Sequence, residues 1–236
     1  MEHSVTCSTA AHAILNGVAW LQAGMCDQFL AGGTEASLTP FTLAQMQAMR
    51  LYTKNVESEF PCRGVDYDNE NNTMVLGEGS AIFALERSSN QKRLAQIASW
   101  GIASEQIRHN TAIDPEGKGF QTCMQAALHL GGFAPSDIDA IIMHAPGTYK
   151  GDQAEFEAIK RVFEGNLPLM TGNKWKIGHT FGASAGLSME MGIHMLKQKK
   201  FIKTPFCKGN YPNQINRVLV NAMGFGGNAI SFILEA

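Results

Sequence analysis

The sequence lacks any apolar run approaching the roughly 20 residues of a membrane-spanning helix. Its N-terminus, MEHSVTCSTA, also lacks the basic-then-apolar order of a signal peptide. Positive charge is not in excess, because 19 basic and 21 acidic residues leave a formal net charge of −2. The composition therefore argues against nucleic-acid and membrane partners, and we expect a soluble, cytoplasmic protein.

Cysteine is scarce, and its five positions form no CxxC pair of the kind that binds zinc or cycles between thiol and disulfide. An odd, scattered set in a chain of this length also argues against a secreted disulfide framework. The seven histidines include no HExxH pair, so no metal site is predicted. We expect a reduced protein in which any special cysteine must be argued from its own surroundings.

The 236 residues, 44% of them hydrophobic, suffice for one large domain or two small ones. Short apolar runs alternate with amphipathic segments, which predicts an α/β sheet with helices on its faces. Helices are predicted at 7–23, 41–51, 121–130, 152–164 and 183–197, and strands at 27–31, 80–85, 97–102, 138–143, 168–171, 218–222 and 229–234. The pattern restarts after the polar stretch 88–95, so we divide the chain into halves at 1–92 and 93–236.

Cys7 stands directly before the first predicted helix. A thiol there faces unpaired backbone N–H groups and the positive end of the helix dipole, which favours the thiolate and hence a nucleophile. The alternative is simple packing, because free cysteine is among the most buried residue types.

His144 follows the apolar run IDAIIM and precedes a glycine turn, a position where α/β folds place active sites. A capping or surface histidine is the alternative. Asp152 is interpreted as structural: it stands where an N-cap of the following helix would be, with Glu155 at the capping-box position.

His179 lies between glycines and leads into a helix of small residues, which indicates a close backbone approach. Lys174 could bring a cation near it, although a solvated side chain is the usual interpretation of a single lysine. The turn 224–228, GFGGN, could direct backbone N–H groups at an anion or be a plain hairpin turn.

These segments, taken in order, strongly resemble the β-ketoacyl-acyl-carrier-protein synthases of the thiolase-like superfamily. The motifs are TCSTAAH (6–12), AGGTEA (31–36), GEGSA (77–81), HAPGTYKGDQAE (144–155), KWKIGHTFGA (174–183) and GFGGN (224–228). The resemblance covers essentially the whole chain and implies a layered αβαβα sandwich. Because only six residues precede Cys7, we expect an incomplete N-terminal half and a chain that lacks the family's first segment.

The resemblance places the family's catalytic Cys-His-His set on Cys7, His144 and His179, which is the pattern of the chain-elongating branch. The family's lysine falls on Lys174, and the acid expected to hold that lysine falls on Glu155.

The resemblance also implies a small number of residues that contact the substrate. Thr148 matches one of two threonines that contact phosphopantetheine, whereas the other is replaced by Pro146. Phe225 matches a gating aromatic whose backbone N–H joins that of Cys7 in the oxyanion hole, and Gly226 beside it is expected to contact substrate.

The implied activity is decarboxylative condensation of an acyl-cysteine with malonyl-carrier protein, in fatty-acid or polyketide/polyene chain elongation. Acyl carrier protein is the implied partner, together with a second subunit in a homodimer or a heterodimer with a chain-length factor. No cofactor beyond the carrier's phosphopantetheine is implied. A non-catalytic chain-length partner subunit is disfavoured by the intact triad, and a coenzyme A-dependent thiolase by the absence of a cysteine in 224–228.

Overall fold

The computed structural model describes residues 4–87, 93–105, 113–207, 211 and 214–236. Helices and strands follow one another in the order that the sequence predicts, with the short helix Lys174–Ile177 in addition. The helices are α1 (Thr9–Gln22), α2 (Pro40–Ala48), α3 (Lys118–Gly131), α4 (Tyr149–Val162), α5 (Lys174–Ile177) and α6 (Ser184–Gln198). The strands are β1 (Gln28–Glu35), β2 (Gly79–Glu86), β3 (Gln96–Ser104), β4 (Ala140–Ile142), β5 (Leu169–Thr171), β6 (Arg217–Gly224) and β7 (Asn228–Glu235).

The strands of the described residues form two sheets. β1 and β2 pair antiparallel, whereas the larger sheet has the order β3-β7-β6-β4-β5. Its β4 runs parallel to both β5 and β6, and its β7 is antiparallel to β6 and β3. The carboxyl ends of β4 and β6 therefore lie at the same edge of this sheet, and the loops that follow them meet there.

The core is layered because β6 and β7 are buried on both faces. One face, including Val218 and Val220, packs with α1, α6 and the smaller sheet. The other face, including Leu219 and Met223, packs against α3 and α4. The order within the described residues is thus sheet, helices, sheet, helices, while the outer face of the smaller sheet exposes Leu30 and Ile82.

A close backbone contact joins strand β1 to the turn that precedes α6. A Cβ atom at Gly33 of β1 would lie 2.6 Å from the carbonyl oxygen of Gly182 and 2.9 Å from the Cβ of Ala10. The Gly182 N–H also donates to the Glu35 carboxylate at 3.2 Å. The AGGTEA segment therefore lets the turn after His179 approach the helix that follows Cys7.

The predicted junction at 88–95 falls largely on residues 88–92, which lie outside the described residues, and the division at 92/93 stays a prediction. No helix in the described ranges combines the length and apolar character required to cross a bilayer. All five cysteines are free.

Candidate active site

Cys7 lies on a tight turn of 3₁₀ helix, Thr6–Ser8, that leads directly into α1. Thr6 adopts a positive φ of 53°, a conformation that costs a non-glycine residue energy and is typical of functional turns. The turn is held by Ser8 Oγ, which donates to the Val5 carbonyl at 3.0 Å, and by the Val5 N–H, which donates to Thr9 Oγ1 at 3.0 Å. The sulfur is therefore fixed at the helix start, as the sequence predicts.

His144 follows the buried strand β4, and hydrogen bonds to Glu155 hold its backbone. The N–H groups of His144 and Ala145 donate to Oε1 and Oε2 of Glu155, each at 2.9 Å. Hydrogen bonds to a charged acceptor are the stronger kind, about 1.5–3 kcal/mol each. Glu155 thereby fixes the backbone that carries the imidazole.

His179 is positioned by a short parallel bridge with Leu76. Its N–H donates to the Val75 carbonyl at 2.7 Å, and its own carbonyl accepts from the Gly77 N–H at 3.1 Å. Its Nδ1 is buried and has no hydrogen-bond partner among the described residues. The backbone of residues 75–77 therefore fixes the backbone that carries this ring.

The structure brings the three predicted catalytic side chains together on a cavity of about 1300 Å³. The rings of His144 and His179 have centroids 5.3 Å apart and planes at 84°. The predicted residues that line this cavity are Cys7, His144, Thr148, His179, Phe225 and Gly226. In the turn that carries Phe225, the next two residues, Gly226 and Gly227, have φ values of 95° and 76°. Residues with a side chain rarely adopt such positive φ values, so the turn requires glycine at both positions.

Burial controls the protonation of the two imidazoles. It lowers the pKa of both His144 and His179 well below 6.5, and the positive charge of Lys174 lowers both further. Both rings are therefore neutral at pH 7, and each has one N–H donor and one acceptor nitrogen.

The protonation of the Cys7 thiol differs from what the sequence predicts. Burial raises its pKa to about 12, although Lys174 and the backbone N–H groups of Phe225 and Cys7 itself lower it. The predicted thiolate preference at the helix start is wrong for the free protein, because loss of hydration outweighs the helix terminus and the lysine.

Lys174 and Glu155 lie behind the cavity wall, and both are buried. Glu155 does not hold Lys174 directly: within the described part of the chain no ion pair within 4 Å joins them, and its oxygens accept from His144, Ala145 and Asn221. Burial lowers the pKa of Lys174, and the negative charge of Glu155 opposes this shift. The expected contact is thus replaced by an interaction across a longer distance.

Asp152 is not the N-cap that the sequence suggested. Helix α4 begins three residues earlier, with Thr148 as its N-cap. The Asp152 carboxylate accepts instead from the N–H groups of Gly147 and Thr148 at 3.2 Å. Burial raises its pKa well above the usual range, and Glu155 raises it further. Asp152 therefore closes the loop that carries Thr148.

Sequence reasoning missed Asn221 and Ser231, which are register partners on β6 and β7. Ser231 Oγ donates to Asn221 Oδ1 at 2.7 Å, and Asn221 Nδ2 donates to Glu155 Oε1 at 3.0 Å. The available signal was one strongly polar residue inside each of two apolar runs, VLVNAM and AISFIL. Such residues in buried strands need partners, and these two find each other.

Comparison with known proteins gives consistent matches. Residues 3–91 match the beta-ketoacyl synthase N-terminal domain model, and residues 94–207 match the C-terminal domain model. The chain is 31% identical over 242 residues to 3-oxoacyl-[acyl-carrier-protein] synthase 2 of Staphylococcus aureus, an alignment covering 94% of this chain and 59% of that relative. The chain therefore spans about three fifths of the length of that relative.

Solved structures share the fold. A beta-ketoacyl synthase from Burkholderia phymatum STM815 superposes with a TM-score of 0.83 at 26% identity, covering 98% of this chain and 60% of that one. A ketosynthase (ApeO) in complex with its chain length factor (ApeC), from Xenorhabdus doucetiae, gives 0.86 at 24% identity, covering 99% and 59%. The thiolase-like α/β fold predicted from the sequence is confirmed.

Proposed function

The chain belongs to the β-ketoacyl synthase family, and on that premise we propose that it carries out decarboxylative condensation of an acyl group with malonyl-acyl carrier protein. The observation that supports this most is the shared cavity, on which one cysteine and two neutral imidazoles face each other. A thioester bound there would meet a nucleophile and two N–H donors at once.

The first step proposed is acyl transfer to Cys7. The sulfur attacks the acyl carbonyl, the bond to the carrier's thiol breaks, and the proton of the Cys7 thiol ends on that leaving thiol. Because the pKa of Cys7 is raised to about 12, the free thiol holds its proton until the departing thiolate of the carrier can accept it. Covalent storage divides one difficult condensation into two easier reactions.

The second step is decarboxylation of the malonyl thioester. Loss of CO₂ leaves the electron pair of the broken C–C bond as an enolate, whose oxygen carries negative charge. Neutral His144 and His179 can each donate one N–H to that oxygen in a buried setting, an arrangement worth several kcal/mol at the transition state.

The third step forms the new C–C bond. The enolate carbon attacks the acyl-Cys7 carbonyl, whose oxyanion would accept from the N–H groups of Cys7 and Phe225, the two backbone groups that lower the pKa of the Cys7 thiol. Collapse expels the Cys7 thiolate, which then takes up a proton. Lys174 and Glu155 act on the local charge without touching substrate. These steps need no dissociable cofactor, because release of CO₂ supplies the driving force.

We propose phosphopantetheine thioesters as the substrate class, with Thr148 contacting the pantetheine arm. Pro146 removes one hydroxyl and one backbone donor from that arm's path.

Arg50 and Lys54 line the cavity and are the proposed docking residues for an acidic carrier. The relative from Xenorhabdus doucetiae is a complex with a chain length factor, and we propose a homodimer or such a heterodimer, located in the cytoplasm.

The experiment that tests this function compares the wild-type chain with Cys7→Gln. Wild type, given acyl- and malonyl-carrier protein, should release one CO₂ for each β-ketoacyl product. Cys7→Gln should still release CO₂ and form no C–C bond, because only the acyl acceptor is lost. Cys26→Ala, which alters a partly buried cysteine outside the cavity, is the matched control and should retain both reactions. Condensation that persists in Cys7→Gln contradicts the proposal, as does product formed from acetyl-coenzyme A alone.

A further inference from the structure

A row of buried polar side chains crosses the otherwise apolar layer between the larger sheet and helices α3 and α4. We name Cys123, Ser231, Asn221 and Glu155 the polar row. Their exposed fractions are 0%, 0%, 1% and 1%, while their neighbours in this layer are apolar, among them Met124, Leu219 and Ile233.

From Ser231 to Glu155 the hydrogen bonds of the polar row run in one direction. Cys123 Sγ lies 3.0 Å from Ser231 Oγ. The Ser231 hydroxyl donates to Asn221 Oδ1 at 2.7 Å, and this leaves the Asn221 Nδ2 to donate to Glu155 Oε1 at 3.0 Å. The orientation of the Asn221 amide is thereby determined, because reversing it would place an oxygen against the carboxylate.

The row ends at the active-site loop. The two oxygens of Glu155 accept from the N–H groups of His144 and Ala145, each at 2.9 Å. Of these residues, His144 lines the cavity. The polar row therefore connects α3, through β7 and β6, to the backbone that carries one of the two imidazoles.

Stability alone does not account for this arrangement. Polar groups and a carboxylate lose hydration when they are buried, and well-packed apolar side chains in the same space cost less. What apolar side chains would not do is fix the rotamer of Glu155, whose two oxygens must each face one backbone N–H group.

We propose that Ser231 and Asn221 are positioning residues for His144: they orient the Glu155 carboxylate, which in turn holds the peptide N–H groups of His144 and Ala145. Neither residue touches substrate. The proposal rests on the function proposed above only for its effect on activity, whereas its effect on the loop can be measured without any substrate.

The test compares two buried serines on the face of the sheet that packs against α3. Ser231→Ala removes a hydroxyl of the row. Ser99→Ala removes a hydroxyl of β3 that is equally buried and has no hydrogen-bond partner among the described residues. The measurement is hydrogen–deuterium exchange of the full-length chain, read at the amides of His144 and Ala145.

In Ser231→Ala these two amides should exchange about tenfold faster than in wild type, the change expected when one hydrogen bond of the support is lost. Ser99→Ala should exchange at the wild-type rate. Equal exchange at this loop in the two variants, whether slow or fast, would overturn the proposal, because packing alone would then set the loop's stability.

A second pair keeps the test decisive if an alanine variant does not fold. Ser231→Thr and Ser231→Val have nearly the same shape and differ in one hydroxyl. Threonine should preserve slow exchange and valine should not. Where the chain condenses, valine should also lower kcat about tenfold with KM changed less than about twofold, since the loss occurs at the imidazole. If both substitutions alter exchange alike, the row does not position His144. If the exchange contrast is found in a chain that does not condense, only the proposed function fails.

Discussion

The imidazole rings of His144 and His179 are in edge contact: their planes are nearly perpendicular, and their centroids lie 5.3 Å apart. Residues 35 positions apart in the chain are brought to this distance by β4 and by the bridge between Leu76 and His179. Both rings are buried and neutral at pH 7, because burial lowers the pKa of each. Each neutral ring has one N–H to donate, and the two together can stabilise one developing oxyanion.

The first prediction concerns these donors. His179→Ala should lower the rate of malonyl decarboxylation by about 10² to 10³, the usual loss when one donor to an oxyanion is removed. The control is His194→Ala, whose exposed ring pairs with Glu190 on α6. Release of CO₂ at the wild-type rate by His179→Ala would exclude this role for the ring.

The second prediction concerns the thiol. Because burial raises the pKa of Cys7 to about 12, the rate of its alkylation by iodoacetamide should rise about tenfold per pH unit from pH 7 to 9.5. A free cysteine derivative, with a pKa of about 8.5, should level off within this range. Peptide mass mapping gives the rate for Cys7 itself. A plateau below pH 9 would show that Lys174 outweighs burial.

The third prediction is a pH dependence of stability. His179 has a lowered pKa when folded and about 6.5 when unfolded. Below pH 6.5 the unfolded chain therefore binds more protons, and stability falls as the pH falls, by up to about 1.4 kcal/mol per unit for this ring.

The slope can be isolated with His179→Gln, which does not titrate. The free energy of unfolding of this variant should fall less between pH 6.5 and 5.5 than that of wild type. Asp152 and Glu155, whose pKa values burial raises, act in the opposite direction in both proteins and cancel in the difference. Parallel curves would mean that His179 is hydrated.

The fourth prediction concerns packing behind the site. Gly33→Ala would place a methyl group 2.6 Å from the Gly182 carbonyl, and overpacking of this kind costs about 1–3 kcal/mol. Gly192→Ala on α6 is the control, since its new Cβ would lie 3.1 Å from a flexible leucine side chain. Chemical denaturation should show the loss for Gly33→Ala. An unchanged midpoint for it would mean that the two segments can separate at little cost.

Much of the site could be predicted because its residues stand at the ends of regular elements. Cys7 at the start of a helix, His144 after an apolar strand and Phe225 in a glycine turn each leave a local pattern in the sequence. Those elements converge because β4 and β6 are parallel neighbours.

What could not be predicted depends on contacts between distant segments. Local spacing predicts Asp152 as an N-cap. Because α4 begins at Tyr149, the Asp152 carboxylate instead accepts hydrogen bonds from the N–H groups of Gly147 and Thr148. The raised pKa of Cys7 follows from complete burial, which a helix-start pattern does not reveal. Asn221 and Ser231 are register partners only after β6 and β7 have paired.

The central claim is that Cys7 carries the acyl group, and the most direct measurement is mass spectrometry of the protein after incubation with acyl-carrier protein without malonyl substrate. The predicted result is one acyl group on the peptide that contains Cys7, absent in Cys7→Ala and lost when malonyl-carrier protein is added. An acyl group found on Cys62 or Cys123 instead, or turnover with no acylated Cys7, would contradict the account.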